Sequence, residues 1–140
     1  MDRRNFIQLS AAGLATSLVA PTAVYAESAA KTTADLYYTK GSAGRWTGKE
    51  ATHLPNIEVS KAEGKITVKV VTAHEMKGYE HYIVKHVLLD RHYKFIAEKM
   101  FNPLEEKTPV SSFDLEGYSG VLYVLSLCNK HDLWLASIEA

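Results

Sequence analysis

The feature that most constrains the fold is an alternation of apolar and polar residues with a period of two. It is clearest over residues 65–71, where isoleucine and valine alternate with lysine and threonine. A period of two places successive side chains on opposite faces of a β-strand. Seven short segments of this kind, separated by turn-forming residues, predict an all-β fold, an immunoglobulin-like antiparallel β-sandwich without helices. The other predicted strands cover residues 57–59, 82–89, 93–101, 110–115, 120–127 and 133–138.

The first 26 residues have the pattern of an export signal. Arg3 and Arg4 precede a weakly apolar, alanine-rich stretch over residues 9–24, and Val-Tyr-Ala at residues 24–26 fits a small-residue cleavage site. The apolar stretch is shorter than the roughly 20 residues that a membrane-spanning helix needs. We therefore predict a twin-arginine signal peptide, its cleavage, and a periplasmic protein without a membrane anchor.

The chain divides into three predicted parts. These are the signal peptide over residues 1–26, a tether and lead-in segment over residues 27–48, and one domain over residues 49–140. The part after the signal is long enough for one domain and too short for two. Sixteen basic and 16 acidic residues balance each other without a basic cluster, so nucleic acid is not an expected partner.

The single cysteine, Cys128, lies three residues before His131 and directly after the apolar segment 120–127. One cysteine cannot form an intramolecular disulfide. A thiolate and an imidazole at this spacing, just past a strand end, can bind the same metal ion. Taken alone, the pair is compatible with zinc, with copper or with an inert buried thiol.

Three further histidines are expected near strand ends. His53 lies two residues before Pro55, in a predicted loop, and His74 and His81 flank a polar connection that contains Gly78. Loops at one end of a sandwich bring such residues together. Neutral imidazoles suit iron, copper and zinc, and four imidazoles with one thiolate would leave a sixth coordination position open to a small oxygen species.

The other two histidines are not expected at such a site. His86 is an odd number of residues from His81 within one predicted strand, so the two rings face opposite sides of the sheet. We expect His86 to be packed or at the surface. His92 follows the turn at Asp90-Arg91 and is expected to be solvated.

The segment Cys128-Asn129-Lys130-His131-Asp132-Leu133-Trp134 resembles the Cys-Asn-x-His-x-Leu-Trp motif of the superoxide reductases, or neelaredoxins, and of the iron-binding domain of desulfoferrodoxin. Residues 73–83 resemble the paired-histidine loop of that family, and His53-Leu54-Pro55 resembles its first ligand motif. The resemblance covers roughly residues 49–140. It implies a non-haem iron with Cys128 as axial ligand and four equatorial histidines, which are His53, His74, His81 and His131.

The resemblance also implies an activity. In that family, ferrous iron reduces superoxide to hydrogen peroxide, and an external electron donor then reduces the ferric iron. Superoxide as substrate and a separate electron donor are therefore the expected partners, and a homo-oligomer is compatible with the pattern.

Two catalytic residues of the family are not in their usual places. The glutamate and lysine that precede the first histidine ligand fall here on Ala51 and Thr52. Lys49 and Glu50 stand two residues upstream and are the candidate replacements. In extended chain, two residues displace a side chain by about 7 Å.

Two further departures concern the backbone. One extra residue between His74 and His81 is expected to be absorbed by Gly78. Asp132 stands where the family usually has glycine, so we expect either a different turn after His131 or a left-handed aspartate.

Two other functions remain open. Ala51 and Thr52 are compatible with an exported iron-binding protein that lacks fast superoxide turnover. A cupredoxin-like electron carrier fits less well, since a blue-copper site would need an axial methionine shortly after His131, and residues 132–140 contain none.

Overall fold

Seven β-strands form most of the regular structure of residues 34–140, the part of the chain that the computed structural model describes. A single 3₁₀ turn at Gly44–Trp46 and one helical turn, α1 at Glu50–His53, precede them. The predicted signal peptide lies outside the described residues. Within residues 34–140, no helix combines the length and apolar character needed to cross a bilayer. The strands are β1 Pro55–Ala62, β2 Lys65–Thr72, β3 Ile83–Leu89, β4 Phe95–Met100, β5 Val110–Glu116, β6 Val121–Cys128 and β7 Asp132–Glu139.

The strands form two antiparallel sheets. One has three strands in the order β1-β2-β5, and the other has four in the order β4-β3-β6-β7. The chain crosses between the sheets three times, from β2 to β3, from β4 to β5 and from β5 to β6, as in Greek-key sandwiches. The predicted all-β sandwich is confirmed, and each predicted strand is present.

The core lies between the two sheets and follows from the alternation in the sequence. Ile66, Val68 and Val70 of β2 belong to one buried cluster with Leu122 and Val124 of β6, and none of the five is more than 5% exposed. In β2 the alternating Lys65 and Lys69 are exposed, and in β6 the alternating residues are half-buried. The period of two therefore sets both the strand positions and the buried faces.

A buried polar cluster also joins the two sheets. His86 Nε2 lies 2.8 Å from Thr72 Oγ1, and His86 Nδ1 lies 2.7 Å from Ser111 Oγ. Thr72 Oγ1 lies 2.8 Å from Ser126 Oγ, and all four residues are at most 2% exposed. Burial lowers the pKa of His86 to about 4. His86 is thus a packed histidine, as predicted, and His92 is exposed.

Part of the predicted lead-in segment is ordered against the edge of β7. The Tyr38 N–H donates to Leu133 O at 2.8 Å, and the Leu135 N–H donates to Tyr38 O at 2.8 Å. The Tyr38 ring is 1% exposed and lies 5.5 Å from the ring of Trp134. These contacts fix the path of the chain as it approaches α1.

Replacing His86 by glutamine should make the fold less sensitive to acid. The pKa of His86 is about 4 in the folded chain and 6.5 for an ordinary histidine, so below pH 6.5 the unfolded chain binds more protons than the folded one. As the pH falls, the free energy of unfolding therefore begins to decrease near pH 6.5. The decrease is complete below about pH 4 and amounts to up to about 3 kcal/mol. Urea unfolding at pH 7 and pH 4.5 should show a smaller drop in the free energy of unfolding for His86→Gln than for the unaltered protein.

The control is His92→Gln, which removes an exposed histidine. It should retain the acid sensitivity of the unaltered protein. An equal drop for His86→Gln and the unaltered protein would show that the buried histidine is not the source.

Candidate metal centre

Five potential metal ligands from three segments of the chain converge at one end of the sandwich, from the segment before β1, the β2–β3 connection and the β6–β7 turn. Each offers one donor atom, and all five donor atoms lie within 4.8 Å of one another. They are the side chains predicted from the sequence, His53, His74, His81, Cys128 and His131.

Strand direction explains why they meet. β2 and β6 run toward this end of the sandwich, so His74 follows the end of β2 and Cys128 is the last residue of β6. β1, β3 and β7 start from the same end, so His53, His81 and His131 each come shortly before one of them. An antiparallel arrangement thus collects residues that are up to 78 positions apart.

Neighbouring imidazole nitrogens of the cluster are spaced as donors to one shared ion would be. His131 Nδ1 is 3.1 Å from His53 Nε2 and 3.2 Å from His81 Nε2, and His81 Nε2 is 3.1 Å from His74 Nε2. Imidazole nitrogens bind zinc at about 2.1 Å, so neighbouring nitrogens around one ion of this size would be about 3.0 Å apart in a square and about 3.4 Å apart in a tetrahedron. The observed separations lie between these two values, so one ion of this size fits among the four nitrogens.

The thiol of Cys128 adds a fifth donor to the four nitrogens. Its Sγ is 3.7 Å from His74 Nε2 and 3.6 Å from His131 Nδ1. Cys128 is 1% exposed, so the sulfur lies on the interior side of the cluster. His81 and His131 are partly exposed, and we call the side of the cluster that they reach the outer face.

Backbone carbonyls fix the tautomers of two histidines. His53 Nδ1 donates to Lys49 O at 3.0 Å, and His74 Nδ1 donates to Glu75 O. A carbonyl oxygen only accepts, so the proton is on Nδ1 and the Nε2 lone pair faces the centre. This is the usual outer contact of a metal-binding histidine.

The local electrostatics also favour metal binding. Burial lowers the pKa of all four histidines, that of His53 to about 4, so the imidazoles are neutral at pH 7. Burial raises the pKa of the Cys128 thiol, while the backbone N–H groups of Lys130 and His131 act in the opposite direction. A bound cation would deprotonate the thiol outright.

Three lysines lie near the outer face. Burial is the largest cause of the lowered pKa of His81, and the next largest are the positive charges of Lys130, Lys77 and Lys49. Lys77 pairs with Glu75 at 3.1 Å and Lys130 with Glu80 at 4.0 Å. Within the described part of the chain, Lys49 forms no ion pair. It is therefore the least neutralised cation near the centre.

The path of the chain before His53 differs from the predicted one. Residues 50–53 form a helical turn, so the extended loop assumed there is wrong. A helix rises only about 1.5 Å per residue and places residues four apart on one face, which keeps Lys49 within one turn of His53. Glu50 instead accepts the Gly48 N–H at 2.7 Å.

Asp132 has φ 63°, so the left-handed aspartate expected after His131 is present. Gly78 also lies in the left-handed region, with φ 55°. The Asp132 carboxylate accepts hydrogen bonds from Trp46 and Arg45, two residues near the centre that the sequence did not single out. Trp134, the last residue of the resembling motif, is fully buried and donates from Nε1 to His131 O at 2.9 Å.

Replacing His74 by alanine should weaken metal binding far more than replacing His92 by alanine. Loss of a ligand should exceed the roughly 10- to 100-fold cost typical of losing an outer contact. Anaerobic titration of the metal-free proteins with Co²⁺, followed by its visible absorption, should give one ion per chain in the unaltered protein and in His92→Ala. Equal affinities for the two variants would contradict the ligand set.

No match to the chain was found among curated protein sequences. The sequence does match the desulfoferrodoxin family over residues 45–137. Among solved structures, the superoxide reductase (neelaredoxin) from Ignicoccus hospitalis is 32% identical, with 74% of this chain and 93% of that chain covered and a TM-score of 0.62. A variant of the same protein is 33% identical, with 74% of this chain and 92% of that chain covered and a TM-score of 0.65.

A variant of the superoxide reductase (neelaredoxin) from Archaeoglobus fulgidus, in the reduced form, is 26% identical, with 63% of this chain and 89% of that chain covered and a TM-score of 0.55. The family match includes all five donors. Four neutral imidazoles around one thiol fit the non-haem iron that this family binds. The chain therefore belongs to the desulfoferrodoxin family, and its cofactor is non-haem iron.

Proposed function

We propose that this protein is a superoxide reductase. The observation that carries the proposal is the donor set, in which four histidine nitrogens and the buried Cys128 Sγ lie within 4.8 Å of one another while His81 and His131 are partly exposed. Two of the solved structures that the chain resembles are named as superoxide reductases, which supports the same activity. When bound, iron would supply one electron to superoxide, which with two protons becomes hydrogen peroxide, and an external donor would return the electron.

The protein's own residues hold the donors in the required protonation states. Lys49 O and Glu75 O keep the Nε2 atoms of His53 and His74 free of protons. Cys128 lies in a cluster with Ile83 and Phe101, which excludes water from the sulfur. A thiolate shielded from water would donate charge strongly to the bound iron and so tune its redox behaviour.

Lys49 takes the electrostatic role in this proposal. Its charge acts on both His81 and His131, the two more exposed histidines of the centre. A cation at the mouth of a site raises the local concentration of an anionic substrate.

Glu50 has a structural role in this proposal. Its carboxylate accepts the Gly48 N–H at 2.7 Å, which stabilises the start of α1 and therefore the position of Lys49. The sequence offers Lys49 and Glu50 together as catalytic candidates, and the contact with Gly48 favours Lys49.

Export completes the proposal. The arginine pair and apolar stretch of the first 26 residues support a twin-arginine route, which carries folded proteins, so iron would enter before export and act in the periplasm.

The alternative is an exported iron-binding protein without fast turnover, and the observation that favours it is the presence of Ala51 and Thr52 at the family's catalytic positions.

Pulse radiolysis of the ferrous protein separates these alternatives. Superoxide should oxidise the unaltered centre rapidly, and Lys49→Met should lower the second-order rate constant roughly threefold at low ionic strength, because one steering charge is lost. The difference should shrink as salt is added. The control is Lys65→Met, since Lys65 begins β2 at the opposite end of the sandwich.

Two results would contradict the proposal at different points. If superoxide oxidises the unaltered ferrous centre no faster than a Cys128→Ser variant, the protein binds iron without acting as a reductase. If Lys49→Met and Lys65→Met react equally fast, the reductase assignment stands and the role of Lys49 is wrong.

A further inference from the structure

Three side chains next to the metal centre form a second cluster, which we call the clasp. It consists of Arg45, Trp46 and Asp132. Asp132 Oδ2 accepts the indole N–H of Trp46 at 2.9 Å and an N–H of the Arg45 guanidinium at 2.5 Å. The guanidinium carbon also lies 4.6 Å from the centre of the Trp46 ring. Each member of the clasp therefore contacts both others.

The clasp touches the metal centre through His131. Asp132 follows His131 in the chain, and the Trp46 ring meets the His131 ring edge-on, with ring centres 4.7 Å apart and an angle of 90°. The carboxylate holds the indole, and the indole in turn contacts the imidazole. Asp132 thus acts on a donor ring through Trp46.

The clasp also joins two segments that supply donors. Arg45 Nε donates to Tyr38 OH at 3.2 Å, and Tyr38 is anchored on β7 by two backbone hydrogen bonds. The segment that carries Trp46 continues into α1 and ends at His53. The lead-in segment is thereby fastened to the turn that carries His131 by contacts that need no metal ion.

The backbone at Asp132 is in the left-handed region. A φ of 63° is unfavourable for most residues other than glycine, and aspartate and asparagine tolerate it best. Arg45 and Asp132 are well exposed, at 61% and 44% of their side chains, and an exposed ion pair alone contributes little. The hydrogen bond from the part-buried indole is therefore the contact on which the argument rests.

We propose that Asp132 is a positioning residue of the metal centre. Through Trp46 it fixes the His131 ring, and through the clasp it keeps the segment carrying His53 in place, so that bound iron is retained. This inference depends on the metal centre and not on superoxide turnover. It holds even if the protein proves to be an iron binder without reductase activity.

The test measures iron release from the iron-loaded protein to the ferrous chelator ferrozine, together with the electron paramagnetic resonance spectrum of the ferric form. Asp132→Gly removes the carboxylate and relieves the backbone strain, so a defect cannot be attributed to the left-handed conformation. We expect release to be about tenfold faster and the ferric spectrum to shift, as for other outer contacts of metal ligands.

Two comparison variants make the result specific. Asp132→Asn keeps an acceptor oxygen for the indole and tolerates a left-handed φ, so its release rate and spectrum should return close to those of the unaltered protein. Glu98→Ala removes another ion pair, with Lys85 at 3.1 Å, and should release iron at the unaltered rate. Release from Asp132→Gly at the rate of Glu98→Ala, with an unchanged spectrum, would overturn the proposal.

Trp46→Phe provides an independent check if Asp132→Gly does not fold. It keeps an aromatic ring beside His131 and removes only the indole N–H, so iron release should again accelerate. Unchanged release from Trp46→Phe, or release from Asp132→Asn as fast as from Asp132→Gly, would show that the indole contact does not position the centre.

Discussion

The structure depends on five donor atoms that lie within 4.8 Å of one another. The Nδ1 protons of His53 and His74 are donated to backbone carbonyls, so these two rings present only acceptor nitrogens to the centre. Burial keeps these imidazoles neutral, and the buried Cys128 sulfur is the fifth donor. A single metal cation can accept a lone pair from each of the five donors.

The β-sandwich makes that convergence achievable. A donor at the end of β2 or β6 meets a donor at the start of β1, β3 or β7 only because the strands are antiparallel and share one end. The buried cluster around His86 joins the two sheets. Two of its members, Thr72 and Ser126, lie two residues before the donors His74 and Cys128. The position of the donors is thus fixed by the same packing that fixes the fold.

Much of this could be predicted from the sequence, for physical reasons. The alternation with a period of two recurs along the chain and predicts the strands. The five donors lie near the ends of these strands, so the donor cluster could also be predicted. The α1 turn was missed because four residues are too few to show a helical period. The clasp was missed because Arg45 and Asp132 are 87 positions apart and no local pattern links them.

The central claim is that iron lies between four histidine nitrogens and the Cys128 sulfur. X-ray absorption at the iron K-edge tests it most directly, recorded on the iron-loaded protein and on a Cys128→Ser variant. The account predicts one sulfur and four nitrogen neighbours in the unaltered protein, with the sulfur contribution and the ferric thiolate colour both lost in the variant. Iron bound without a sulfur neighbour, or a spectrum that Cys128→Ser leaves unchanged, would contradict it.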